Sequence, residues 1–276
     1  YMKQYIIVIS VALCLVSCSH RSKHWETLAQ VESYIEERPD SALNVLQGMD
    51  KGELSGKEEK AKHALLLSMA MDKNYIDRTD FDVLQPAIDF YEDHGSATDK
   101  LRTYYYQGRI YQNAGNDAAA MESFVNSLDM GSESNDNLTK ARILVAQSNI
   151  YYSLMKWEKV CDVNIEAANY YNELGRTNNY VYCLLRCIGG YIQSNNFDKA
   201  KDLLGKCYQY TENLPELLIS EIYSYHLLYS VAANNFESVP LIIGEYKNKV
   251  SEENIDYLTV AGAYADIGEY DKAEDM

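Results

Sequence analysis

The phrase Trp157-Glu158-Lys159-Val160 returns as Phe197-Asp198-Lys199-Ala200, as Phe236-Glu237-Ser238-Val239 and as Tyr270-Asp271-Lys272-Ala273. The aromatic residues stand 40, 39 and 34 positions apart, and a weaker copy, Asp117-Ala118-Ala119-Ala120, lies 40 residues before the first. Self-similarity at a period of this size marks an array of helical hairpins. Turn-forming residues precede the copies: Ala114-Gly115-Asn116, Asn195-Asn196, Asn234-Asn235 and Ile267-Gly268. They end one helix and start the next. The acid of the phrase then falls in the first turn of the new helix, where the positive end of the helix dipole stabilises it. The aromatic is expected to fill the space between neighbouring hairpins. The Ala or Val three positions later lets the two helices of a hairpin cross closely.

Each phrase is preceded by a matching first helix. Tyr104-x2-Gln107-Gly108-x2-Tyr111, followed by Ala120-x3-Phe124, resembles the tetratricopeptide-repeat (TPR) pattern W-x2-L-G-x2-Y…A-x3-F. Further copies are Leu144-x2-Gln147-Ser148-x2-Tyr151 with Val160, and Leu184-x2-Cys187-Ile188-x2-Tyr191 with Ala200. Tyr223-x2-His226-Leu227-x2-Ser230 with Val239, and Tyr257-x2-Val260-Ala261-x2-Tyr264 with Ala273, complete the series. The resemblance covers about residues 101–276, with repeats at 101–138, 141–178, 181–214, 220–252 and 254–276. It implies an all-α chain, a TPR-like solenoid of αα-hairpins. Two departures are the longer spacing of most repeats and the lack of a closing proline. The extra residues fall in polar linkers such as 131–137 and 175–179.

Residues 25–95 carry the same idea in weaker form and are expected to make a degenerate, TPR-like N-terminal cap. Trp25 to Glu37 reads as a helix, and Pro39 opens a second, since proline is tolerated in a first turn. Glu58 to Asp72 and Asp80 to His94 form another pair, with Pro86 predicting a kink or a later start in the last. At the other end, the final helix stops at Met276 after under two turns. A terminal repeat should be complete with a polar outer face, so the protein is expected to continue.

The N-terminus reads as an address. Met2 is the expected start, Lys3 supplies a positive charge, and Tyr5 to Val16 is an apolar run too short to span a bilayer. Leu15-Val16-Ser17-Cys18 resembles a bacterial lipobox. That resemblance implies a lipoprotein signal peptide over 1–17, acylation of Cys18 and a short tether over 18–24. Ser19, in place of an aspartate, favours the outer membrane facing the periplasm over the inner membrane. Arg21 and Lys23 on the tether suit anionic head groups.

Hydrophobic residues make up 47% of the 276, enough for a buried core, and 4 Pro with 14 Gly favour long helices. Tyrosine is over-used, 25 against 5 Phe, which suits half-exposed grooves where a ring is buried and its hydroxyl stays wet. The net charge of −16 argues against nucleic acid as a partner. The five His are scattered, and no HExxH, GxSxG, P-loop or GxGxxG motif occurs, so the chain reads as no enzyme and needs no cofactor. Cys161, Cys183, Cys187 and Cys207 read as small buried hydrophobes. A Cys187–Cys207 disulfide and a metal bound by Cys183 and Cys187 are the alternatives.

In TPR proteins the first helices of the hairpins line a concave groove. The matching offsets carry Arg102, Tyr105, Arg109, Gln112 and Asn113, then Arg142, Asn149 and Tyr152, then Tyr182 and Arg186. Later repeats present Leu228, Val231 and Leu258, so the groove is expected to turn apolar. The resemblance implies a membrane-anchored scaffold that binds a protein or peptide. The competing readings are the sensor half of a transmembrane transcriptional regulator and a glycan-binding uptake lipoprotein. The first would require a further hydrophobic span and a DNA-binding region downstream; the second, long insertions between helices.

Overall fold

The computed structural model describes residues 23–276. The lipobox, Cys18 and most of the tether lie outside the described residues. Among the described residues the chain is helical and divides into two compact units, with the boundary between Ser96 and Ala97.

The first unit holds α1 (Lys23–Tyr34), α2 (Pro39–Gly48), α3 (Gly56–Lys73) and α4 (Gln85–His94). Its core is Leu28, Val31, Ile35, Leu46, Leu65, Leu66 and Leu84, all at 1% exposure or less. Lys62 and Lys73 of α3 pair with Glu32 and Glu36 at 2.7 and 2.8 Å, so the stems of both lysines lie along the α1–α3 seam. The later start expected from Pro86 is observed: α4 begins at Gln85, with the proline in its first turn. His63 is buried, and its Nε2–H donates to the Leu46 carbonyl at 2.9 Å. Burial holds its imidazole below the usual range, with Lys51 adding to the effect and the Leu46 bond opposing it. The folded state therefore keeps His63 neutral while the unfolded chain takes up a proton near pH 6.5. Stability should fall as the pH drops from 6.5 through the folded pKa, at up to about 1.4 kcal/mol per pH unit for this group. Urea melts at pH 7.5 and 5.5 measure the drop, and His63→Gln should reduce it.

The second unit is a run of hairpins. They are α5 (Ala97–Asn113) with α6 (Asp117–Met130), α7 (Asn137–Ser153) with α8 (Trp157–Glu173), and α9 (Thr177–Gln193) with α10 (Phe197–Tyr208). Next come α11 (Glu216–Ala232) with α12 (Val239–Lys249), and α13 (Tyr257–Asp266) with the short α14 (Tyr270–Glu274). The helices of each hairpin pack on each other, and first helices pack on first helices: α5 on α7, α9 on α11, α11 on α13. These are the TPR-like hairpins the phrase spacing predicted.

The small residue of the phrase does what close crossing requires: Ala120, Val160, Ala200 and Val239 are all fully buried. Gly108 meets the Phe124 ring so closely that a Cβ at Gly108 would overlap it. The aromatic position is less uniform than expected. Phe197 does bridge to the next hairpin, edge-on to Tyr229 at 6.4 Å. Trp157 instead packs edge-on to Tyr152, inside its own hairpin turn, at 5.3 Å. The copy at Phe236 forms a 3-10 turn over Phe236–Ser238, and the helix starts only at Val239 with Pro240 in its first turn. Phe236 and Tyr270 stay exposed.

The hairpin turns share one backbone device, a single left-handed residue. Gly115 and Gly268 supply it at φ of 74° and 83°, and Asn195 and Asn234 at 56° and 57°; Gly175 adopts the same conformation at 65° in the linker between α8 and α9. These residue types tolerate that region. Met155 does the same job at φ 55° with no such excuse, and its side chain is largely exposed. A β-carbon in this region costs about 1–2 kcal/mol. Met155→Gly should therefore raise the unfolding free energy by about 1 kcal/mol, allowing for the greater freedom of glycine in the unfolded chain. An unchanged urea midpoint would contradict this.

Side-chain caps register successive hairpins. The Asn116 and Asp256 side chains accept from the backbone N–H of Ala119 and Thr259. Asp136 accepts from the N–H of Thr139 at 3.0 Å and from its hydroxyl at 2.9 Å. Tyr246 is fully buried, stacked on Tyr223 at 5.1 Å, with its hydroxyl shared among Ser220 at 2.5 Å, Ser224 at 3.4 Å and the Asp256 N–H at 2.8 Å. It thereby ties α11, α12 and the start of α13 together.

Candidate docking site

The first helices of the second unit share one row of offsets: Arg109 on α5, Asn149 on α7, Gly189 on α9, Leu228 on α11 and Gly262 on α13. Chemistry changes along this row. At the α5 end the residues picked from the sequence are occupied within the fold. Tyr105 is buried, with its ring against Tyr106 at 4.8 Å and Phe124 at 6.1 Å. It is core, and its assignment to the groove is corrected here: the offset is right for the groove, but the neighbouring helix covers it. Arg102 is corrected in the same sense. Its Nε lies 2.6 Å from Asp136 Oδ2, so it locks the carboxylate that caps α7. Burial raises the Asp136 carboxyl, but Arg102 and the Thr139 bonds outweigh it and hold the pKa below the usual range. Arg109 donates to Gln112 at 2.6 Å, and Gln112 donates on to the Ala146 carbonyl at 3.4 Å. Asn113 and Arg142 are half-buried and already engaged within the chain.

The middle of the row is different. Arg186 on α9 reaches across to α7. Its Nη2 donates to Asn149 Oδ1 at 3.2 Å, and its guanidinium lies 4.4 Å from the centre of the Tyr152 ring. That distance is within range of a cation–π contact. Asn149, Tyr152 and Tyr182 are all exposed. No carboxylate among the described residues forms an ion pair with Arg186. The structure thus brings four of the residues chosen from the sequence, Asn149, Tyr152, Tyr182 and Arg186, to one part of the face.

Beyond Arg186 the face opens into two clefts, one at each seam between first helices. The α9–α11 cleft has a volume of about 330 Å³ and is walled by Tyr152, Ile192, Tyr225, Leu228 and Val231 over Gly189. Gly189 is its floor: a Cβ there would stand 3.1 Å from the Tyr225 ring. Burial holds the Tyr225 phenol above its usual range, with the nearby Arg186 opposing. The α11–α13 cleft is about 230 Å³, shares Leu228 and Val231, and adds Leu258, Thr259, Gly262 and Asp266. Leu228 is 48% and Leu258 86% exposed. The apolar turn expected at this end is therefore observed. Gly189, Tyr225 and Gly262 were missed by sequence reasoning. The signal was present, since Gly189 and Gly262 stand at the offset of Arg109 and Asn149, but a glycine shows no chemistry until a ring is seen to lie over it.

The four cysteines Cys161, Cys183, Cys187 and Cys207 are buried free thiols, which answers the pairing of Cys187 with Cys207 left open by the sequence. Cys187 instead faces Cys161 across the α8–α9 crossing, each Sγ within 3.6 Å of the other residue's carbonyl oxygen. Burial pushes the thiols of Cys183 and Cys207 up to about 12. Among the described residues, no group of three or more His, Cys, Asp or Glu side chains is placed to hold a metal ion. No described helix is long and apolar enough to cross a membrane.

The class this fold defines is that of TPR-like helical-hairpin proteins. Among solved structures the chain is similar to the apo form of RapI, at TM-score 0.62 and 15% identity over 92% of this chain and 74% of that one. It is similar to a Rap protein complexed with Competence and Sporulation Factor, at TM-score 0.57 and 14% identity over 92% and 72%. BtubC (BKLC) from P. vanneervenii matches at TM-score 0.58 and 14% identity over 83% and 91%. At these identities the likeness is one of fold. No family model matches the chain, and no curated protein sequence does.

Proposed function

We infer that the chain is a docking scaffold whose first-helix face, from α7 to α13, holds a segment of another protein or a peptide. The observation that carries this is the pair of clefts beside Arg186, with large apolar side chains, Leu228 and Leu258, left in water on a face where the helices are otherwise well packed. Burying such side chains under a partner contributes roughly 1–2 kcal/mol each. A Rap protein of similar fold is one complexed with Competence and Sporulation Factor, which supports a binding role for such a stack. We also propose, from the resemblance of residues 15–18 to a lipobox, that an acylated Cys18 holds the scaffold at the envelope membrane, outer more than inner. Labelling cells with a radioactive or clickable fatty acid tests that step: the label should be lost in Cys18→Ser.

The docking reading is tested by affinity capture from membrane extracts with the wild-type chain and with Leu228→Asp. The variant places a charge in both clefts and should lose the partners that the wild type retains under equal loading. Retention of every partner by the folded variant would sink the reading.

A further inference from the structure

We propose that the segment held on this face is an extended peptide carrying an acidic side chain followed, at intervals of about three residues, by two apolar ones. The inference rests on the docking reading above and specifies its ligand. Its basis is the order of chemistry along three successive seams. At the α7–α9 seam stands Arg186, oriented by Asn149 at 3.2 Å and backed by the Tyr152 ring at 4.4 Å. Asn149 takes one Nη2–H of the five guanidinium donors, and the fork that remains suits a carboxylate. On a chain of net charge −16, Arg186 forms no ion pair with a carboxylate among the described residues; Glu221 lies on the α11 side, where it and Arg186 act on Tyr225 in opposite senses. At the α9–α11 and α11–α13 seams stand the two clefts, joined by their common walls Leu228 and Val231.

Spacing turns this order into a sequence rule. First helices α9, α11 and α13 pack in succession, and packed helices lie about 8–10 Å apart. An extended chain advances about 3.3 Å per residue, so one seam corresponds to about three residues. A carboxylate on Arg186 then places an apolar side chain over Gly189 and a second one against Leu258. Asp266, on the far wall of the last cleft, disfavours a second acid there.

Fluorescence anisotropy with the full chain tests this rule. The probe is a labelled peptide in which a glutamate is followed, at three-residue intervals, by two leucines with serines between. A matched peptide has lysine for the glutamate, and both are made in both sequence orders. The glutamate peptide in one order should bind at least about tenfold more tightly than its lysine counterpart, as expected for a charge-assisted contact. Arg186→Met should erase that preference and Arg186→Glu should reverse it, while Arg186→Lys should keep part of it. Equal binding of the glutamate and lysine peptides, a preference that survives in Arg186→Met, or no binding by either peptide would overturn the inference. The docking reading fails separately: Leu228→Asp would then leave affinity capture unchanged.

Discussion

Phe124→Ala should destabilise the α5–α6 hairpin by about 3–5 kcal/mol. The ring is completely buried and lies directly against Gly108, where the two helices approach so closely that no Cβ fits. It also supports Tyr105 at 6.1 Å. Truncation removes the transfer free energy of the ring and leaves a cavity that a helix pair in fixed register cannot close. Because stacked repeats contact chiefly their neighbours, the loss should show locally. Hydrogen exchange should accelerate most over 97–130, with 177–208 changed much less. Restoring volume from the other side, with Gly108→Leu in the Phe124→Ala background, should recover part of the loss. Gly108→Leu alone should destabilise through overpacking, by about 1–3 kcal/mol. A Phe124→Ala chain with wild-type exchange over 97–130 would mean that the crossing is not held by this contact.

The second large effect is expected at Tyr246. Tyr246→Phe keeps the ring stacked on Tyr223 but deletes the hydroxyl that Ser220, Ser224 and the Asp256 N–H share. Ser220 and Ser224 are themselves buried, so the groups left behind cannot all turn to water. Stranded buried donors and acceptors cost about 1–3 kcal/mol. Tyr246→Ala adds the loss of the ring and should approach 3–5 kcal/mol. Since the Asp256 N–H lies at the entry to α13, Tyr246→Phe should also loosen the α11–α13 cleft. Urea denaturation followed by circular dichroism gives the magnitude. Exchange over 252–266 gives the location, and no change there would show that the hydroxyl does not register the hairpin.

The recurring phrase made the fold of the second unit legible because its demands are local. A helix start is favoured by an acid in its first turn, and a hairpin crossing needs a small residue such as Ala120 or Ala200. What the phrase did not carry was the identity of each aromatic contact. Trp157 and Phe197 occupy the same place in the motif, yet one packs within its hairpin and the other on the next, because that choice depends on which rings the neighbouring helices offer. The copy at Phe236 departs for a covalent reason: Pro240 follows at once, and a helix cannot already be running there, since proline lacks the N–H and clashes with the preceding turn.

The docking face was only half legible for a related reason. Offsets identify which side of a helix looks along the stack, and the residues they pick at Asn149, Tyr152, Tyr182 and Arg186 lie on one part of the face. They say nothing of what the next helix covers. Tyr105 stands at a groove offset but is closed in by Phe124 and Tyr106, and Arg102 is consumed by the Asp136 cap. Conversely Gly189 carries no side chain to notice, yet its bareness makes the α9–α11 cleft.

Site-directed photo-crosslinking tests the docking face most directly. A photoreactive residue is placed in turn at Tyr182, Leu228 and Leu258 on first helices, and at Ile165 and Leu241, which are exposed on the second helices α8 and α12. Crosslinks to a partner should form from the first three positions and not from the last two. Crosslinks from Ile165 and Leu241, with none from Leu228 or Leu258, would place the partner on the opposite face and contradict the docking site described.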